Sequence, residues 1–208
     1  LLRQAGCRYD LKQFAGAAEL YEALLTRFPK SEYRTTAQLA AGRNRYFAGE
    51  WEAAARLLGP LASGKGETAA EAAHWTARAL LKNKQPADAE QVLKAALKEK
   101  GKTKYSAQLA LDLGDAIYDQ ADRRADALKA YQALVEQYPE DALAAQGRYF
   151  GALTALELGK NGDAGKLADA YLKKNAGGEL TSDVLYIKAE SLLRDEKHSE
   201  AAAAYDQL

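Results

Sequence analysis

The chain has 208 residues, with 29 lysines and arginines against 29 aspartates and glutamates, so its formal net charge is zero. Proteins that bind nucleic acid or an anionic membrane usually carry a basic excess, so this balance supports neither class. Apolar residues make up 48% of the chain, which disfavours wholesale disorder, and no apolar run approaches the ~20 residues that span a bilayer.

Similar short segments recur along the chain, and one alanine can be aligned in each of them. These alanines are 35 to 38 residues apart, and they are Ala17, Ala54, Ala89, Ala127, Ala164 and Ala201. A fixed period of this length is typical of helical repeat arrays. We therefore predict one domain, 1–208, built from six units at approximately 1–30, 31–66, 67–103, 104–139, 140–178 and 179–208.

Each unit is expected to contain two antiparallel helices that cross at small side chains. A small residue lies twelve positions before the repeat alanine in three units, as Gly42, Ala77 and Ala189. Gly114 and Gly151 lie thirteen positions before theirs, which predicts one extra residue at the turn of the fourth and fifth units. Close helix crossings need small residues because large side chains hold the two backbones apart.

Four aromatic side chains are expected to fill the space beside these crossings, namely Phe14, Trp51, Tyr131 and Tyr205. Pro60 predicts a kink or an early end of its helix, with a loose connection near residues 63–66. Residues 98–104 and 175–180 are the other predicted loops. No segment alternates with period two over a β-branched run, so we predict an all-α protein of about a dozen helices.

The order of residues within a unit resembles the tetratricopeptide repeat. Gly42, Trp51, Ala54 and Leu58 match the family's successive small, aromatic, alanine and bulky positions. Another unit matches its aromatic, alanine, bulky and proline positions with Phe14, Ala17, Tyr21 and Pro29. The resemblance covers essentially the whole chain and is weaker in the third and fifth units. It implies a right-handed superhelical solenoid of about five or six repeats.

The segment FPKSEYRTTAQLAAGRNRYFAGEWEAA, residues 28–54, is similar to the repeats of bacterial cell-envelope proteins. The similarity is to the periplasmic partner of the Tol-Pal system and to the lipoprotein of the outer-membrane barrel assembly machine. Those proteins act in interaction and assembly. The resemblance therefore implies a place in the bacterial cell envelope, in the periplasm rather than the cytoplasm.

In tetratricopeptide arrays the first helix of each repeat lines a concave surface that holds a peptide. The family's lining positions, carried over to this chain, fall on Leu39, Arg43, Tyr46, Phe47, His74, Arg78, Leu81, Leu111, Asp115, Tyr118, Arg148, Tyr186, Glu190 and Leu193. Such a mixture of aromatic and charged groups is typical of a surface that holds a peptide segment.

Two finer predictions follow from the charged members of this set. His74 and Arg78 have the spacing of the last pair in the clamp with which chaperone-binding relatives hold a C-terminal carboxylate, but Leu39 and Arg43 do not match its first pair. We therefore do not predict capture of a chaperone tail. Arg43, Arg78 and Arg148 instead suggest a preference for an acidic segment.

The sequence offers no constellation for catalysis. His74 and His198 are the only histidines and belong to different units, and no zinc-protease, nucleophile-elbow or phosphate-loop motif is present. Cys7 is the only cysteine, which excludes an intrachain disulfide, and Arg3 and Gln4 before it do not fit a lipoprotein attachment site. We predict a non-enzyme with no cofactor and no metal.

These observations predict a scaffold that binds protein or peptide partners through the concave face, with no nucleic acid and no direct membrane insertion in this segment. The chain lacks methionine and starts inside a predicted helix, so we interpret it as part of a longer protein. Its last apolar positions need a cover, which suggests homo-oligomerisation through an exposed end. Two alternatives stay open: the recognition arm of a larger enzyme, and a module that senses a peptide.

Overall fold

The structure, a computed structural model, describes residues 1–98 and 102–208. Across these residues the regular structure consists of twelve α-helices and contains no strand, so the prediction of an all-α fold is confirmed. The helices are α1 (Leu2–Asp10), α2 (Phe14–Arg27), α3 (Arg34–Phe47), α4 (Trp51–Ala62), α5 (Gly66–Lys82), α6 (Pro86–Lys98), α7 (Ser106–Tyr118), α8 (Arg124–Gln137), α9 (Leu143–Glu157), α10 (Asn161–Lys174), α11 (Thr181–Arg194) and α12 (His198–Tyr205). The predicted loop at 98–104 falls partly outside the described residues.

The chain forms two compact units, Leu1–Asp112 and Leu113–Leu208, with the boundary inside α7. In the first unit consecutive helices pack against each other, and α3 also contacts α5. In the second unit the same arrangement holds, and α9 also contacts α11. In each unit, two first helices are therefore in contact, α3 with α5 and α9 with α11, and each also packs against the helices before and after it.

The six repeat alanines lie where the helices cross. All are buried, with at most 2% of their surface exposed. Gly42 and Gly114 lie opposite large side chains: a Cβ on Gly42 would stand 2.3 Å from Leu58 Cγ, and one on Gly114 would stand 2.3 Å from Tyr131 Cε1. The small residues are thus required by close contact between helices, as the spacing predicted.

The fourth unit has a longer turn, as predicted, although by two residues rather than one, and the fifth unit does not. Residues 119–123 connect α7 to α8, whereas α3–α4 and α9–α10 are each joined by three residues. The fifth unit therefore has no extra residue. Its crossing position is Ala152, which is fully buried and twelve residues before Ala164, rather than Gly151.

The three-residue turns share one backbone conformation. The central residue has positive φ, at +79° in Gly49 and +69° in Gly159. The next backbone N–H then reaches back to the last turn of the helix, as in the 2.9 Å bond from Glu50 N to Arg45 O. This arrangement satisfies carbonyls at the helix end and turns the chain within three residues.

The predicted connection near residues 63–66 is found at residues 63–65, but α4 does not end early, because it continues through Pro60 to Ala62. A proline this close to the C-terminal end removes only one hydrogen bond, so the last turn is kept. Trp51, expected to fill the space beside Ala54, instead lies at the surface with 36% of its area exposed.

Candidate functional site

Seven ring-bearing side chains in the first unit form a continuous row, which we call the aromatic stripe; it consists of Tyr9, Phe14, Tyr46, Phe47, His74, Trp75 and Tyr105. Phe47 is central, with its ring centroid 5.2 Å from Phe14 and 5.3 Å from Trp75. Trp75 lies 5.2 Å from Tyr46 and 4.7 Å from His74. The stripe thus runs from the end of α1 across α3 and α5 to the residue before α7.

The stripe is accessible to a partner. Tyr9 and Phe47 each expose 39% of their area, and the other five rings are half buried. A contiguous exposed patch of aromatic residues on a protein surface marks an interaction site more often than scattered apolar residues do. The row therefore is the feature of this unit best suited to recognition.

Charged side chains hold the stripe in place. Arg43 Nη1 lies 3.0 Å from Glu71 Oε1, and its guanidinium lies 5.5 Å from the centre of the Trp75 ring. Burial, together with the nearby Glu71 carboxylate, raises the Tyr105 pKa. This network joins α3, α5 and the residue before α7, so the rings are fixed relative to one another.

His74 is fixed by a buried carboxylate. Its Nδ1 lies 2.6 Å from Asp112 Oδ2, and the Asp112 side chain is fully buried. Gln108 Nε2 donates to the other carboxylate oxygen at 3.1 Å. These contacts orient the imidazole between Trp75 and Tyr105, whose ring centroid is 6.1 Å away.

Four of the predicted lining residues meet in the stripe or beside it: Arg43, Tyr46, Phe47 and His74. The remaining predictions in this unit lie elsewhere on the same helices. Leu39, Arg78 and Leu81 are half buried, and Leu111 is buried with 4% of its area exposed.

The predicted residues of the second unit form separate small groups. Asp115 accepts a 2.9 Å hydrogen bond from the Tyr131 hydroxyl. Tyr118 donates to Glu157 Oε1 at 2.7 Å. The guanidinium of Arg124 lies 3.5 Å from the centre of the Tyr118 ring.

On α11, Glu190 accepts a hydrogen bond from the Tyr205 hydroxyl. Tyr186, with 51% exposed, and Leu193, with 42% exposed, are the open positions of that helix. The bond to Glu190 raises the Tyr205 pKa to about 12. These residues thus pair locally and form no continuous row within the second unit.

Arg148 is buried, with 5% of its area exposed, and its Nη2 lies 3.5 Å from the Pro139 carbonyl oxygen. The cause is the register of the fifth unit: once Ala152 occupies the crossing position, the lining position falls on Tyr149. That ring is half buried, with its centroid 5.0 Å from that of Phe150. Arg148 therefore has no part in the surface that we propose below.

Alkaline pH is expected to destabilise the protein through Tyr131. Burial, with Asp115 beside the hydroxyl, raises the Tyr131 pKa well above its ordinary 10.0. A phenol that ionises more easily when unfolded stabilises the fold below pH ~10, and this contribution falls by about 1.4 kcal/mol per pH unit above it. Urea unfolding at several pH values from about 9 to 11 should show a shallower decline in Tyr131→Phe.

The matched control for this prediction is Tyr186→Phe, which removes the hydroxyl of an exposed tyrosine. It should leave the slope of unfolding free energy against pH unchanged. An identical slope in wild type and Tyr131→Phe would contradict the assignment, whatever the stability of the variant at neutral pH.

Within the described ranges, no three histidine, cysteine or carboxylate side chains are grouped to hold a metal ion. In the same ranges, every helix is too short or too polar to span a bilayer. Cys7 is exposed on α1.

Comparison with known proteins gives one consistent family. Two family models, both described as tetratricopeptide repeat, match the chain, one over residues 39–104 and 151–208 and the other over 1–31 and 109–141. No curated protein sequence matches significantly.

Several solved structures have the same fold at low sequence identity. A tetratricopeptide repeat protein from Parabacteroides merdae has a TM-score of 0.72 at 13% identity, covering 99% of this chain and 76% of its own. The MamA protein has a TM-score of 0.68 at 16% identity, covering 85% and 90%. YrrB, described as a tetratricopeptide repeat protein with an unusual peptide-binding site, has a TM-score of 0.63 at 17% identity, covering 88% of each chain. With one family model matching more than half of the residues, this chain belongs to the tetratricopeptide repeat family.

Proposed function

We propose that this chain is a non-catalytic interaction module that binds a segment of a partner protein on the aromatic stripe. The observation that carries the proposal is the unbroken row of seven rings across α1, α3, α5 and the start of α7. Aromatic side chains provide large contact areas with few rotatable bonds, and they are enriched among the residues that dominate binding energy.

The composition of the row supports a protein ligand over a small molecule. The rings extend from the end of α1 across α3 and α5 to the residue before α7, which suits an elongated ligand. The description of YrrB as having a peptide-binding site shows that a structure of this fold can bind a peptide. The similarity of residues 28–54 to envelope repeats further leads us to propose a role in assembly or maintenance of the bacterial cell envelope.

The test is capture of partners by the 208-residue chain from separate envelope and cytoplasmic extracts of the source organism. Phe47→Ala should lose the specific partner, because an anchoring aromatic residue contributes about 2 kcal/mol or more, equal to about 30-fold in affinity. Trp51→Ala is the matched control, since Trp51 exposes 36% of its area and Phe47 39%, but Trp51 lies outside the stripe.

The two variants and the two extracts test binding on the stripe separately from the role in the cell envelope. A partner that Phe47→Ala loses and Trp51→Ala retains supports binding on the stripe, provided that both variants keep the circular dichroism of the wild type. A partner retained by both variants would place binding elsewhere. Stripe-dependent capture from the cytoplasmic extract alone would leave the binding surface intact and overturn the envelope role.

A further inference from the structure

The stripe offers hydrogen-bond donors to a ligand alongside its rings. Within residues 1–98 and 102–208, neither the Tyr46 hydroxyl nor the Trp75 indole N–H has a hydrogen-bond partner. Both side chains are half buried, and their ring centroids are 5.2 Å apart. An indole N–H or a phenol at the edge of an apolar contact usually finds a partner when it is covered, so a ligand that covers these two rings is expected to supply acceptors.

The carboxylates beside the stripe are already engaged. Glu71 pairs with Arg43 at 3.0 Å. Asp112 is fully buried and bonds both His74 and Gln108. A ligand that brought many N–H groups would therefore find few unengaged carboxylate oxygens there, and each buried N–H left unpaired would cost free energy.

These two facts distinguish between the classes of peptide that the stripe could bind. An amphipathic helix satisfies its own backbone, so it gains nothing from the free donors. An ordinary extended segment brings one N–H and one carbonyl per residue and needs acceptors as well as donors. A proline-rich segment brings carbonyls without N–H groups, together with flat apolar rings, and it is already extended before binding.

The geometry of the rings agrees with the last class. Tyr46 and Phe47 meet Trp75 at interplanar angles of 59° and 69°, and planes at such angles enclose a wedge that suits a pyrrolidine ring. The steps from Tyr46 to Trp75 and from Trp75 to His74 are 5.2 and 4.7 Å. Each step is about half of one turn of a polyproline II helix, about 9 Å, which is the repeat of side chains on one face.

We propose that the partner segment is proline-rich and binds the stripe as a polyproline II helix, with backbone carbonyls accepting from Tyr46 and Trp75. This proposal rests on the proposed function, since it names the ligand class of the same surface. Aromatic-lined surfaces suit such segments because the ligand loses little conformational entropy on binding.

The test is isothermal titration of the 208-residue chain with three capped, uncharged peptides of about ten residues each: polyproline, a leucine–glutamine helix former and a serine–threonine sequence. Polyproline is expected to bind at least about 10-fold more tightly than either of the others. Weaker or equal binding of polyproline would overturn the proposal.

Two conservative variants test the hydrogen bonds while keeping an aromatic ring. Tyr46→Phe and Trp75→Phe each remove one donor and should weaken polyproline binding about 3- to 10-fold. Tyr186→Phe, which removes an exposed hydroxyl outside the stripe, is the matched control and should leave the affinity unchanged. Equal affinities of wild type and both donor variants would show that the carbonyl contacts are absent and would overturn the proposed binding mode.

Failure of this inference can be told from failure of the proposed function. If the helix former or the serine–threonine peptide binds more tightly than polyproline and Phe47→Ala abolishes that binding, the stripe is a peptide site for another class. If Phe47→Ala alters the binding of no peptide and the capture of no partner, then both proposals are wrong.

Discussion

Substituting leucine for His74 is expected to lower the free energy of unfolding by about 3 kcal/mol. The imidazole lies 2.6 Å from a carboxylate whose side chain is completely buried. Without His74, the Asp112 carboxylate keeps only the bond from Gln108 in a site from which water is excluded. Removing one member of a buried pair costs far more than the pair contributes, because the remaining group is left without its partner.

Two further variants make this prediction specific. Replacing both His74 and Asp112 with leucine should recover much of the loss, since no buried carboxylate remains. His198→Leu changes the other histidine, which is exposed, and should alter stability by less than about 0.5 kcal/mol. Urea unfolding followed by circular dichroism measures all three. A His74→Leu variant as stable as His198→Leu would show that the pair is not needed by the fold.

The arrangement of helices could be predicted from the sequence because each helix crossing requires a small residue, and these small residues recur at a regular spacing. Two helices approach closely only at alanine or glycine, and the six repeat alanines are buried where the 35- to 38-residue period placed them. This signal depends only on steric contact within one pair of helices. It can therefore be recognised in the sequence without knowing how the helix pairs stack on each other.

The lining residues were harder to predict, because an error of one residue in the register of a helix assigns the wrong residues to the concave surface. Gly151 and Ala152 are adjacent small residues, and spacing alone does not choose between them. The three-residue turn after α9 places Ala152 at the crossing, which buries Arg148 and turns Tyr149 toward the lining position. A shift of one residue rotates a helix by about 100°, so a charged group moves from the surface to the interior.

The stripe itself involves contacts between repeats, which no single repeat encodes. Trp75 follows the predicted His74 by one residue, and Tyr105 precedes the first residue of α7, so neither falls on a lining position of the family. Trp75 joins the stripe because α3 and α5 pack side by side, and Tyr105 joins it through the His74 ring on α5. Glu71 lies one turn before Trp75 on α5, and only the structure shows that it pairs with Arg43.

The residues that determine the helix packing are largely different from the residues that form the stripe. Small residues at the crossings determine how closely the helices pack, and large rings on the first helices are then free to contact each other at the surface. Arg43 and His74 contribute to both the helix packing and the stripe. Each contacts a ring of the stripe and also pairs with a carboxylate from another helix. We therefore expect changes at Phe47 or Tyr46 to affect binding alone, and changes at His74 to affect stability first.

Substituting alanine for Gly114 is expected to destabilise the protein by about 2 kcal/mol, although alanine is the better helix former. The added Cβ would lie 2.3 Å from Tyr131 Cε1, well inside van der Waals contact. Tyr131 cannot easily move, because it is 2% exposed, stacks on Phe150 at 5.6 Å and donates its hydroxyl to Asp115. The two helices must therefore separate, which loses packing along the whole crossing.

Gly162→Ala in α10 is the matched control, since a Cβ there would meet no heavy atom within 4 Å. The same chemical change should then stabilise the protein slightly, by up to about 0.5 kcal/mol, because Gly162 is in the first turn of α10, where helix propensity counts less than in the interior. Urea unfolding of the two variants under the same conditions should give shifts of opposite sign. If Gly114→Ala were stabilised like Gly162→Ala, the close approach of α7 and α8 at Tyr131 would be wrong, and glycine at that position would reflect no steric need.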